Sequence, residues 1–117
     1  MSDAGIPRTT TTVGYDLHIT RATDWTENVG RSIDEQEWLA LTRADAQLVP
    51  DPANGPYAVR YGSAAWFDWF EGNVFTTDPD RATVTKMLDI ARDLSAIVQG
   101  DDGEIYETAQ QWPRRRR

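Results

Sequence analysis

The chain has no cysteine, a single histidine and a single lysine. Without cysteine there is no disulfide framework and no thiolate metal site. No apolar run approaches the ~20 residues that span a bilayer. Residues 1–14 contain no apolar segment of the secretory kind, so they are expected to be a disordered lead-in around the Thr9 to Thr12 run, and a cytoplasmic location is expected. There is no Gly-rich phosphate loop and no GxSxG nucleophile elbow. His18-Ile19-Thr20 has the H-x-T form of two-histidine phosphoesterases, but that chemistry needs one histidine as base and a second as acid. The second is missing. The chain is therefore expected not to be an enzyme and to carry no cofactor.

Positive charge is scarce as well. The formal net charge is −7, and setting aside the four arginines at 114–117 leaves −11 on the residues before them. Phosphate backbones would be repelled by such a body, so nucleic acid is not expected as the ligand. A basic protein partner, or solubility alone, fits the charge.

At 117 residues the chain has the size of one domain with its own core. The expected division is a lead-in at 1–14, a domain at 15–108 and a flexible tail at 109–117 that ends in the Arg run. The centre is residues 65–106, which reads as strand, tight turn, strand, amphipathic helix, strand. The aromatic run from Ala64 to Phe70 suits a pleated sheet surface. Gly72-Asn73 then reads as a hairpin turn, because both residues tolerate positive φ. Asp78-Pro79 reads as a helix start, with Asp78 as cap and Pro79 in the first turn. Val84, Met87, Leu88, Ala91 and Leu94 form one apolar stripe at helical spacing. Arg81, Lys86, Asp89 and Asp93 are expected on the wet face. Ala96 to Gly100 reads as a strand, Asp101-Asp102-Gly103 as a turn, and Glu104-Ile105-Tyr106 as a short return strand.

Upstream, Tyr15, Leu17 and Ile19 alternate with Asp16, His18 and Thr20, the pattern of a half-buried strand. Trp25 lies in a polar loop and is expected to fold onto the core edge. Asp34 followed by Glu37 has capping-box spacing, and Ile33 and Trp38 have the spacing of a hydrophobic staple. That helix is expected to end near 44–47, with Trp38, Leu41 and Leu48 facing inward. Residues 50–56 read as a Pro-rich loop and 57–61 as a short strand. The resulting order predicts an α+β fold: a mostly antiparallel sheet with two helices on one face, and a ferredoxin-like βαββαβ core with one inserted strand. Residues 15–20 would then be central, with 97–99 beside them.

Two clusters are candidates for chemistry. Asp101, Asp102 and Glu104 could ligate a hard cation, although their spacing departs from the Ca²⁺-loop pattern. His18 could form a relay with Asp16 or Asp68. The hairpin offers a different possibility, because both its faces are aromatic: Trp66 and Phe70 lie with Asp68 on one, Phe67 and Trp69 on the other. Two helices cover only one face, so the second is covered by the 49–63 loop, by a second copy in a homodimer, or by a partner. The expected partner-binding set is Asp101, Asp102, Glu104, Trp66, Asp68 and His18, presented to a basic toxin or enzyme as an immunity or antitoxin-type inhibitor would. A metal-dependent protein using the 101–104 turn with His18, and a structural homodimer, are the alternatives.

Several of these motifs together resemble an uncharacterised family of small acidic bacterial proteins. They are the Tyr15-Asp16-Leu17-His18-Ile19-Thr20-Arg21 run with Trp25 after it, Ile33-Asp34 with Glu37-Trp38, Gly72-Asn73, Asp78-Pro79-Asp80, and Val98-Gln99-Gly100-Asp101-Asp102-Gly103-Glu104 with Tyr106. The similarity covers residues 15–107. Relatives of that type carry a longer segment between the first helix and the hairpin, where this chain is short and Pro-rich. The resemblance implies no activity.

Overall fold

The computed structural model describes residues 14–113. Most of the expected lead-in, and the Arg run, lie outside the described residues. Among the described residues, seven strands form one antiparallel sheet: β1 (Asp16–Thr20), β2 (Leu48–Pro50), β3 (Val59–Tyr61), β4 (Ala65–Phe70), β5 (Asn73–Thr77), β6 (Ile97–Gly100) and β7 (Ile105–Tyr106). Their spatial order is β2-β3-β4-β5-β1-β6-β7. Helices α1 (Glu35–Ala44) and α2 (Arg81–Asp93) complete the mixed α+β architecture. As expected, β1 is an interior strand, flanked by β5 and β6. A four-stranded βαββαβ unit with one insertion does not describe the whole sheet, which has seven strands. Leu48 faces inward as expected, from the start of β2.

Period-two alternation decides which face each residue takes. Leu17 and Ile19 of β1 stand in register with Thr76 and Val74 of β5 and with Gly100 and Val98 of β6. Together with Phe67, Val59 and Leu48 they line the face beneath the helices, in one core with Trp38, Val84, Met87 and Ile90. The other face carries a row running straight across the strands: Asp68, Phe75, His18, Gln99 and Ile105. Among the described residues, no α-helix covers that row.

The start of α1 follows its sequence. Asp34 caps it and accepts the Gln36 N–H at 2.9 Å, while Glu37 reaches back to the Asp34 N–H at 3.0 Å. Such a cap contributes about 1 kcal/mol. Ile33 and Trp38 are both fully buried, and the Trp38 indole donates to the Tyr57 carbonyl at 2.9 Å.

Elsewhere local geometry corrects the expectation. Helix α2 is capped by Asp80, whose carboxylate accepts the Thr83 N–H at 2.8 Å. Asp78 instead exchanges two hydrogen bonds with the Tyr15 backbone, which fastens the start of β1. The hairpin turn is Glu71-Gly72, both at positive φ, and Asn73 begins β5. Two positive φ values in a two-residue loop match the twist of the strands they join. A Cβ at Gly72 would also lie 2.5 Å from the Ser32 hydroxyl, so glycine is needed there twice over. Lys86 is not on a wet face. It is buried, bonded to Asp45 and Gln47 at 2.6 Å each, and lies over the Tyr61 ring. The folded part also continues past 108: Ala109–Gln111 form a 3-10 turn, and Trp112 is buried against Tyr15 and Tyr106. No helix of the described residues is long and apolar enough to cross a membrane.

Candidate functional site

The face without helices is finished over one half only. Over β1 and β6 it is roofed by the 21–31 segment. Trp25 stacks on the His18 ring at 3.7 Å between centroids, nearly parallel, so it covers this face and not the core edge. Its backbone N–H donates to the Gln99 side chain at 2.7 Å, and its carbonyl accepts from Asn73 at 2.9 Å. Gln99 in turn donates to the carbonyls of Thr23 and Gly103. His18, Gln99, Asn73 and Thr20 are consequently buried, and each has a hydrogen-bond partner, Thr20 accepting the Ala22 N–H at 3.2 Å. This satisfies what burying polar groups demands.

His18 pairs with Asp101, at 2.8 Å from Nε2, rather than with Asp16 or Asp68. The other Asp101 oxygen accepts the Asp16 N–H at 2.9 Å, and Asp16 accepts the Thr77 hydroxyl at 2.6 Å. A carboxylate only accepts, so the histidine proton sits on Nε2. These bonds clip the 101–103 turn onto the start of β1. Among the described residues, Asp16, His18 and Asp101 also place one possible ligand atom each within 4.8 Å of one another.

The expected partner-binding set divides three ways. His18 and Asp101 meet. Asp102 lies exposed on the same turn and donates its N–H to the Tyr15 hydroxyl. Glu104 turns to the opposite side of the sheet, where the Tyr15 and Tyr106 hydroxyls donate to it at 2.6 and 2.7 Å. It lies so close over Gly100 that a Cβ there would be 2.1 Å from its oxygen. The acidic turn is thus largely a fastening and not a free acidic surface.

Trp66 and Asp68 belong to the unfinished half. A cleft of about 420 Å³ opens between the 51–58 segment and strands β4 and β5. The 49–63 loop borders this cleft without closing it. Asp51, Asn54, Arg60, Trp66, Asp68 and Phe75 line it. Trp66 meets Phe75 edge-to-face at 5.5 Å. Across Phe75 lies a second cleft of about 360 Å³, walled by Asp16, His18, Trp25, Phe70 and Glu71. Phe70, at the rim, is 62 % exposed. Asp68 accepts a hydrogen bond from the Trp69 N–H at 2.8 Å. Burial raises its pKa, only partly offset by that N–H, and no ion pair to it exists among the described residues.

Phe75, Arg60 and Asp51 were not singled out by sequence reasoning. Phe75 was legible: it alternates with Val74, which has to face the core. Arg60 and Asp51 reach the cleft through the unexpected β2–β3 pairing, which the Pro-rich composition concealed. No family model matches the chain, no curated protein matches it, and no solved structure matches it.

Proposed function

We propose that this chain is a non-enzymatic, cytoplasmic binding protein that seats a basic partner protein on the helix-free face of its sheet, in the manner of an immunity or antitoxin-type inhibitor. The observation that carries this reading is the pair of clefts sharing Phe75, acid-lined and aromatic, on a face that the fold itself leaves half covered. Interface cores favour Trp and Phe, and rim charge steers docking. The net charge of −7 has the sign that draws a basic partner. Size and acidity agree with the small bacterial proteins that the motifs resemble. In topology we read β4-β5-β1-β6 with α1 and α2 as a ferredoxin-like core, extended at its edges by β2, β3 and β7.

A photo-crosslinking residue at Phe70, introduced in the producing cells, is expected to capture a protein of high isoelectric point, less efficiently at high salt. Recovery of no protein at any salt concentration overturns the reading. A second reading, a divalent-cation site, is favoured by one observation, the approach of Asp16, His18 and Asp101. Binding there would require the cation to replace the His18–Asp101 and Thr77–Asp16 hydrogen bonds. Calorimetry with Ca²⁺, Mg²⁺ and Zn²⁺ decides it: heat that Asp101→Ala abolishes supports the site, and silence for all three removes it.

A further inference from the structure

The two clefts differ in one physical respect. In the second, the Asp16 carboxylate is already engaged by the Thr77 hydroxyl, and the other carboxylate on its wall, Glu71, is exposed and keeps its water. In the first, Asp68 has one hydrogen bond, from the residue after it, and no counter-ion among the described residues. Asp68 is partly buried on a sheet strand, with Phe75 directly across from it. A carboxylate in such a place is disfavoured until a cation reaches it. The side chains beside it, Trp66 and Phe75, present π-systems, which attract cations most strongly when water is excluded.

We propose that this cleft seats one cationic side chain, an arginine guanidinium or lysine ammonium carried by the basic partner, held by the Asp68 carboxylate and packed against Trp66 and Phe75. This rests on the partner reading above and deepens it. Its volume, about 420 Å³, lies in the range of pockets that enclose a ligand group. Asp51 adds a second negative charge, partly satisfied by Asn54 at 2.8 Å. Arg60 is the cation already nearby. It is exposed, stands across from Trp66 in the β3–β4 ladder, and forms no ion pair with either aspartate. As a like charge on the cleft wall it opposes an incoming cation, so removing it is expected to tighten binding.

The test uses the full chain and two probes of equal shape, N-acetyl-arginine methylamide and its neutral citrulline counterpart, followed by NMR of the Trp66 indole N–H and the Asp68 carboxyl. The arginine probe is expected to shift both signals with millimolar affinity, and the citrulline probe to bind roughly tenfold more weakly or not at all. Asp68→Asn is expected to abolish the difference between probes, and Arg60→Ala to strengthen arginine binding. Equal response to both probes, or shifts confined to Trp25 and His18, overturns the assignment. A homodimer that Asp68→Asn dissociates would seat a second copy's cation in the cleft and would overturn the hetero-partner assignment. If crosslinking at Phe70 captures a basic protein while the arginine probe leaves Asp68 unmoved, the cleft assignment fails and the face reading stands. If the probe binds and no partner is captured, the partner reading fails and with it the source of the cation, while the cation-binding chemistry of the cleft stands.

Discussion

Asp101 offers a quantitative check on whether the acidic turn fastens the fold or presents itself to a partner. It accepts two hydrogen bonds, from His18 Nε2 at 2.8 Å and from the Asp16 N–H at 2.9 Å, and its side chain is 32 % exposed. A hydrogen bond to a charged group contributes about 1.5–3 kcal/mol when buried, and partial exposure places these at the low end. Asp101→Ala removes both and leaves the His18 ring, only 7 % exposed, without its acceptor, so a loss of about 2–3 kcal/mol is expected. Asp101→Asn keeps one acceptor oxygen for two donors and should lose about 1 kcal/mol. With an m value of roughly 1–2 kcal/mol/M, the urea midpoint should fall by about 1–3 M for the alanine variant and by half of that or less for asparagine. The assay is equilibrium urea unfolding followed by tryptophan fluorescence. A shift in the Trp25 signal is also expected at zero denaturant, because the indole lies on His18. An alanine variant as stable as the parent would refute the fastening role, and a graded loss confirms that this carboxylate is not free for a partner.

Four further outcomes are expected. Glu37 is held at a pKa of about 2 against an ordinary 4.5, first by the Arg21 side-chain hydrogen bonds and then by the Asp34 N–H. A lowered carboxyl pKa stabilises the folded chain above the ordinary value and loses that contribution on acidification, so the advantage of the parent over Glu37→Gln should vanish between pH 4.5 and about 2 in stepped-pH unfolding. Asp68 has the opposite sign. Burial raises its pKa from 3.8, which weakens the fold as pH rises through the raised value, so Asp68→Asn should melt higher than the parent near neutrality, with the gap closing below pH 3.8. Trp38→Phe leaves the Tyr57 carbonyl without its 2.9 Å donor and a void in a fully buried site, and should destabilise by about 2–4 kcal/mol in urea unfolding. Gly100→Ala drives a methyl into the Glu104 carboxylate and should separate it from the Tyr15 and Tyr106 hydroxyls, visible as a change in tyrosine absorbance with a loss of about 1–3 kcal/mol.

What the sequence disclosed follows from how local each feature is. Strand β1 and helix α1 were legible because their signals, strict alternation and a capping box, are complete within a few residues. The hairpin was legible as a hairpin, but its turn was displaced by one residue. Asn73 tolerates positive φ as a turn residue does, yet here its amide bridges Trp25 and Asn28. The start of α2 moved for a related reason. Asp78 and Asp80 are both competent caps, and the choice was made by Tyr15, which lies 63 residues away and occupies the first of them. Lys86 read as solvent-facing because a cation on a helix usually is, and it is buried because Asp45 and Gln47 come to it from the end of α1. The candidate site suffered most. Aspartates 101 and 102 and Glu104 are adjacent in the chain, and adjacency suggested one acidic surface. The alternation of β6 and β7 sends Glu104 and Asp101 to opposite sides of the sheet, a consequence of register that only the paired strands reveal.

The contrast between the two halves of the helix-free face is therefore the most informative property of the molecule. One half is roofed by the chain itself: the roof is a single loop, and His18, Thr20, Asn73 and Gln99 beneath it hydrogen-bond to that loop or to the 101–103 turn. A half built this way is rigid before any partner arrives, and rigidity lowers the ordering cost of association. Phe75 stands at its edge, fixed between His18 on one strand and Asp68 on the other. The second half has the same sheet and the same aromatic character, yet it leaves a carboxylate without a counter-ion and Phe70 in solvent. The 49–63 stretch is held in the sheet through β2 and β3 and borders this half without covering it. Burying an unpaired acid opposes folding, whereas an apolar residue at position 68 would have extended the aromatic surface at no such cost. A residue that weakens the free protein and would be relieved by a cation from outside is the pattern expected where stability has been yielded to binding.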